Sequence, residues 1–272
     1  MNVPRLAGAA VAEPDAGARA RSLIAGPLAD PYASDEPVDD LRARFAADGY
    51  VKLPGLLRDE PLEILRREVA ALEPQARARD FVMAGPRTPR VMSVLSATQL
   101  LGGASAPGLL YVHFELVALV ARIAGTAIHR CTHPEELIVC NFLLAPGSTH
   151  GWHLDDPPYA LILVLEAPAP GRGGELEFIP GWADLNHGLG LDPDGPVEPG
   201  VAAARAEGRI RREAHRSGDA YLLRADLCAH RVAPLRAPGS RRVALNFAYE
   251  SRAGASYGNS ATVLYGPQDP GS

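Results

Sequence analysis

Lysine is almost missing from this chain: Lys52 stands alone beside the arginines that supply the rest of its 27 basic residues. The bias is compositional. No Lys/Arg run forms a basic stripe and the formal net charge is -5, so a nucleic-acid partner is not expected. Cysteine is scarce too. Cys131, Cys140 and Cys228 are too few and too scattered for a disulfide framework, and none sits in a CxxC spacing, so the expected setting is a reducing cytoplasm. Uninterrupted apolar runs are also lacking. The longest stretch, LLYVHFELVALVARIAG from Leu109 to Gly125, is broken by His113, Glu115 and Arg122, and reads as a buried helix rather than a membrane span. The first residues, MNVPRLAGAAVAEPDAGARARSL, hold no apolar segment of secretory type, and no internal repeat is visible. Nothing in the sequence reports the oligomeric state.

What is present suffices for a large core: 47% of the 272 residues are apolar and 22% charged. Residues 1–34, rich in Ala, Gly, Pro and Arg, predict a flexible or surface-packed arm, and 35–272 a single domain. Within it, 35–130 reads as helical support. SDEPVDDLRARFAADGY from Ser34 offers a cap, acidic first-turn residues and Leu41 and Phe45 at helical spacing. A short strand, YVKLPG, follows. RDEPLEILRREVAAL then puts Leu62, Leu65, Val69 and Leu72 on one helix face, and a loop containing MAGPRTPR comes next. Over 136–250 the texture changes to short β-rich runs (LIVCNFLL, YALILVLE, ELEFI, AYLLR, RRVALNFAY) joined by APGS, APAPGRGG, RSGD and RAPGS. The fold expected is mainly β with N-terminal helices, a jelly-roll core buttressed by helices. An irregular insertion over 180–213 is expected to cover a cavity mouth.

THGWHLDD, Thr149 to Asp156, carries the chemistry. In His153-Leu154-Asp155 the histidine and the carboxylate are two apart, so at a strand end both leave the same face. His230 in CAHRVAPL, on a later β-rich segment, is the candidate third ligand. Two imidazoles and one carboxylate on one face leave three positions of an octahedral ion open, the donor set of non-haem Fe(II) oxygenases. Arg241, past the turn that follows His230, is placed to lie on the neighbouring strand and bind a carboxylate bidentately. Strand alternation admits only one of Arg241 and Arg242 to the interior. Asp156 directly follows a ligand and Glu136 begins the strand leading toward it, so a cationic substrate group would neutralise both.

PG followed by HGWHLD, then GGELEF, then HRVAPL and GSRRVAL resembles the double-stranded β-helix (cupin-like) core of the Fe(II)/2-oxoglutarate-dependent oxygenases. The resemblance covers roughly 136–250, and DGYVKLPGLL resembles the entry to that fold. It implies Fe(II) held by His153, Asp155 and His230, with 2-oxoglutarate and O2 as cosubstrates and Arg241, or Arg242, on the distal carboxylate. THGWHLDDPPYALILVLEAP is similar, more narrowly, to the small oxygenases that halogenate or hydroxylate free amino acids, the lysine halogenase group and its hydroxylase relatives. Those halogenases replace the metal carboxylate by a small residue and leave a site for chloride; this chain keeps Asp155. The resemblance further implies that His150 and Asn246 hold the amino-acid backbone, that Arg90 assists at its carboxylate, and that Glu136 and Asp156 face its far end. Trp152 joins these as a residue packed under the metal. The expected activity is hydroxylation of an unactivated C–H of a free basic amino acid (lysine, ornithine or arginine) with release of succinate and CO2. Desaturation or cyclisation, a carrier-bound substrate, and a non-oxidative cupin-like binding protein are the alternatives.

Overall fold

The computed structural model describes residues 21–33, 38–102, 105–193 and 195–266. The Ser34 cap and residues 1–20 of the expected arm lie outside the described residues. The rest of that arm is packed: Leu23 and Leu28 are buried in the main core, and Leu28 bridges Leu57.

Helix α1 (Val38–Asp48) leads into β1 (Tyr50–Leu53), and α2 (Asp59–Leu72) buries Leu62, Leu65 and Val69 as its spacing predicts. The next segment is not the expected loop. β2 (Arg77–Met83) and β3 (Thr88–Leu95) form a hairpin in unbroken register, although they contain Pro89 and several charged residues. Tertiary partners stabilise these charges. Arg79, 2% exposed, donates from Nε to Leu264 O at 2.7 Å and from Nη2 to Gly266 O at 2.6 Å. The apolar stretch 109–125 is likewise not one helix. It breaks at Val112 and His113, where His113 is extended (ψ 127°), and only Phe114–Ala124 (α3) continues, with Phe114 itself exposed.

The remaining strands are β4 (His129–Arg130), β5 (Ile138–Leu143), β6 (Thr149–His153), β7 (Tyr159–Glu166), β8 (Leu176–Ile179), β9 (Arg211–Glu213), β10 (Ala220–Arg224), β11 (Ala229–Val232) and β12 (Arg242–Glu250). All pair antiparallel in the order β1–β10–β7–β12–β5–β3–β6–β11–β8–β9, with β2 beside β3 and β4 beside β12. β3 pairs β5 through Ser93–Leu95 but β6 through Arg90 and Val91, so it is the corner at which the sheet turns back over itself. The two ends then meet: the Tyr50 ring lies 4.7 Å from that of Phe178, closing a jelly roll. β7 shows why its sequence is apolar throughout. Leu161, Leu163 and Leu165 face the helices, while Ile162 and Val164 face the barrel interior.

The insertion differs from expectation as well. It holds two helices, α4 (Trp182–Leu189) and α5 (Glu198–Ala206), whose Trp182, Leu185 and Val201 pack on Trp152, Ile179 and Ala229. These helices cover the outer face of β6, β11 and β8. Pro199 and Gly200 obscured the helix, yet a Cβ at Gly200 would meet the Trp182 ring at 2.6 Å. A last helix, α6 (Ser260–Tyr265), packs Leu264 and Tyr265 against Met92, Val139 and Val232. Among the described residues no helix is long and apolar enough to cross a membrane.

Candidate metal centre and its pocket

β6 and β11 set His153 directly opposite His230, with ring centroids 4.2 Å apart. Each Nδ1 lies on a main-chain carbonyl two residues earlier on its own chain: His153 on Gly151 O at 2.7 Å, His230 on Cys228 O at 2.9 Å. A carbonyl only accepts, so both rings carry their proton on Nδ1 and turn the Nε2 lone pair to the interior. The amide of Asp155 donates to Ala225 O at 3.0 Å, tying the loop after β6 to the end of β10. Its Oδ1 thereby sits 3.3 Å from His153 Nε2 and 3.7 Å from His230 Nε2. The three ligand atoms lie within 4.8 Å of one another and are able to hold a metal ion. Burial, then His153, pushes His230 down to about 4, so it is a neutral ligand at physiological pH.

The intervening residues explain the motif. A Cβ on Gly151 would meet Pro89 O at 2.7 Å, where β3 crosses. Trp152 points to the outer face, packed among the insertion residues with the Arg231 guanidinium 5.1 Å above its ring. His150 returns to the interior, stacked on His153 at 3.9 Å. Burial first, then His153 and Arg90, hold it well below the usual imidazole range, and its buried Nε2 has no partner among the described residues. Arg90 lies opposite His150 in the register, 2% exposed; Nη1 donates to Thr88 Oγ1 at 2.8 Å while Nε has no partner among the described residues.

On the other side of the triad the pocket is walled by Ile162, Leu176, Tyr221, Ala244, Asn246 and Arg242. Arg242 is 3% exposed and its Nη2 reaches Tyr221 OH at 3.4 Å. Arg241 faces away. Its Nε donates to both oxygens of Glu166 at 3.1 Å and its Nη2 to Glu73 at 2.8 Å, on the outer surface beside α2. Placing Arg241 inside the barrel is thus corrected by one residue, the parity of the strand deciding for Arg242.

Glu136 is 8% exposed, and among the described residues its Oε2 has no partner. Its carboxyl is pushed up to about 9, chiefly by burial and then by Asp155, Asp156 and Glu250. Asp156 is exposed and accepts a hydrogen bond from Ser260 Oγ, and Asn246 presents an Oδ1 with no partner among the described residues. The structure thus brings His150, His153, Asp155, His230, Asn246 and Arg242 to one pocket and sets Arg90 beside it. Glu136 and Asp156 do not line that pocket, although Asp155 and Asp156 both disfavour the charge on Glu136; Arg241 and the Trp152 side chain are elsewhere. Tyr221 and Asn141 also line the pocket and were not singled out in the sequence; alternation along β5 and β10 was the available signal.

A family model described as Halogenase D matches residues 33–263. Among solved structures, the epimerase SnoN in complex with Fe3+, alpha-ketoglutarate and nogalamycin RO is 21% identical, with a TM-score of 0.59 over 89% of this chain and 92% of that one. AviO1 from Streptomyces viridochromogenes Tue57 is 20% identical, with a TM-score of 0.59 over 83% of this chain and 100% of that one. EctD from S. alaskensis, with 2-oxoglutarate and 5-hydroxyectoine, is 16% identical, with a TM-score of 0.55 over 83% of this chain and 82% of that one. At these identities the likeness is one of fold. No curated protein sequence matches the chain.

Proposed function

The chain belongs to the Halogenase D family, and from that premise we propose that it is an Fe(II)/2-oxoglutarate-dependent oxygenase that hydroxylates a free basic amino acid. The observation that carries the reading is the carboxylate of Asp155, lying against both Nε2 atoms of a His–Asp–His face. A carboxylate at that position occupies the coordination site that a halide would need, which favours hydroxylation over halogenation within this family. The donor set fits the metal: two imidazoles with Nδ1 anchored, and one acid. When bound, iron and 2-oxoglutarate supply, with O2, an oxidant able to take hydrogen from an unactivated carbon, with release of succinate and CO2.

The remaining roles belong to this chain's own residues. Arg242, backed by Tyr221, offers a buried guanidinium to the distal carboxylate of 2-oxoglutarate. Ile162 and Leu176 keep water from that carboxylate. Arg90, with its free Nε, and His150 and Asn246, with unpartnered atoms, hold the amino-acid carboxylate and amine. Glu136 and Asp156 hold the side-chain cation, so the carbon beside the metal is chosen by anchors at both ends. The buried free thiols Cys131, Cys140 and Cys228 suit a reducing cytoplasm.

The test is an Fe(II), 2-oxoglutarate and O2 assay against the proteinogenic amino acids and ornithine, reading product mass and succinate together. One basic amino acid gaining an oxygen supports the reading. Turnover of neutral amino acids alone, or succinate formed at the same rate with and without any amino acid, overturns the substrate.

A further inference from the structure

Strand β12 runs through the whole barrel, and alternation divides its residues between two faces. Val243, Leu245, Phe247 and Tyr249 join the apolar layer under the helices. Arg242, Ala244 and Asn246 line the metal pocket. The same period puts Ala248 and then Glu250 on the inward face. At about 3.4 Å per residue the strand advances roughly 27 Å from Arg242 to Glu250, from the end of the barrel that holds Tyr221, past the metal, to the end that holds Glu136.

Glu250 is 3% exposed, and its Oε1 accepts a short hydrogen bond from Tyr257 OH. Burial, together with Asp226 and Asp156, pushes its carboxyl up to about 7, against the amide of Ser251 and the exposed Arg252. It also disfavours the charge on Glu136. β12 pairs Phe247 with Ile138 of β5, and Ala248 N donates to Leu137 O at 3.1 Å, so Glu250 and Glu136 belong to adjacent stretches of chain at the same end of the barrel, and both are more than nine-tenths buried. A separate observation indicates a ligand: among the described residues Glu136 Oε2 has no hydrogen-bond partner. Leaving such an atom unmet costs on the order of 1–3 kcal/mol, more if it is charged.

We propose that Glu250 is a third substrate-reading carboxylate, which with Glu136 and Asp156 forms an anionic cup around the side-chain cation of the substrate. Tyr257 and Ser260, reaching back from the segment after β12, hold Glu250 and Asp156 in place. This rests on the reading of the substrate as a basic amino acid and adds what sets its selectivity. An ammonium carries three donors and a guanidinium five, so a terminal cation satisfies all three acids. A neutral side chain leaves them crowded without counter-charge.

The experiment is anaerobic calorimetry on enzyme loaded with Fe(II) and 2-oxoglutarate, titrated with L-lysine, L-ornithine and L-arginine, and with L-norleucine as the neutral probe. For the tightest cationic probe, Glu250→Gln is expected to weaken binding at least tenfold, with norleucine unchanged or tighter. If wild type binds a cationic probe and Glu250→Gln binds it within twofold, Glu250 has no such role and the substrate reading stands. If wild type binds none of the three, both fall. Where Glu250→Gln does not fold, Glu250→Asp retains the charge but sets it back by one methylene. Ornithine, the shorter probe, is then expected to lose more affinity than arginine, and equal losses overturn the proposal.

Discussion

Replacing Glu136 by glutamine is expected to stabilise the metal-free, substrate-free protein, and increasingly so as pH rises. The carboxyl is 8% exposed and raised from 4.5 to about 9, by burial first and then by Asp155, Asp156 and Glu250. Between those values the unfolded chain has released a proton that the folded chain retains. Stability from this group is therefore fully present below 4.5 and is lost as pH climbs toward 9. At about 1.4 kcal/mol per unit the ceiling is about 3 kcal/mol at pH 7 and about 6 kcal/mol at pH 9. Relaxation and water entry reduce this, so a gain of about 1–2 kcal/mol at pH 7 is expected, or about 3–6 °C in Tm for a chain of this size. Thermal melts of wild type and Glu136→Gln from pH 5 to pH 9 measure it. A difference that is flat with pH, or a wild type that is the more stable at pH 9, refutes the buried, acid-flanked carboxylate. The same chemistry predicts release of about one proton when a cationic substrate binds at pH 7. Calorimetry in buffers of different ionisation heat reads it, and Glu136→Gln is expected to release less, leaving only the part that Glu250, raised to about 7, gives up.

Arg242→Gln is expected to raise the KM for 2-oxoglutarate about 10- to 100-fold through loss of a charge-assisted pair, whereas Arg241→Gln leaves it unchanged; succinate formation separates the two. Asp155→Ala removes a ligand, and hydroxylation is expected to fall about 100-fold or more with weaker iron binding, measured by product formation and metal content. Glu177, 2% exposed, accepts from Arg231 Nε at 2.6 Å and Arg212 Nε at 2.8 Å. Both arginines are partly exposed, so Glu177→Ala is expected to cost about 1–2 kcal/mol, seen in urea denaturation; an unchanged midpoint contradicts this.

The jelly roll was legible because its strands are local: β5, β7, β10 and β12 are apolar or alternating runs between turn signals. His153 and Asp155 were legible for a similar reason, two side chains at strand spacing, and His230 followed from needing a third donor. What stayed hidden depends on partners distant in sequence. β2 and β3 look like a polar loop until Arg79 meets the carbonyls of Leu264 and Gly266. The break after Tyr111 is anchored from outside its segment, since Tyr111 OH donates to Ala248 O at 2.8 Å and Tyr249 OH donates to Tyr111 O at 3.0 Å. Arg241 and Arg242 differ only in parity, and a one-residue uncertainty in where β12 begins exchanges their faces.

The most direct measurement is the product of the wild-type enzyme with its preferred amino acid, Fe(II), 2-oxoglutarate and O2 in excess chloride. With Asp155 holding the position a halide would take, the expected product is the substrate with one oxygen atom gained, in step with succinate. A product carrying chlorine in place of hydrogen would contradict it.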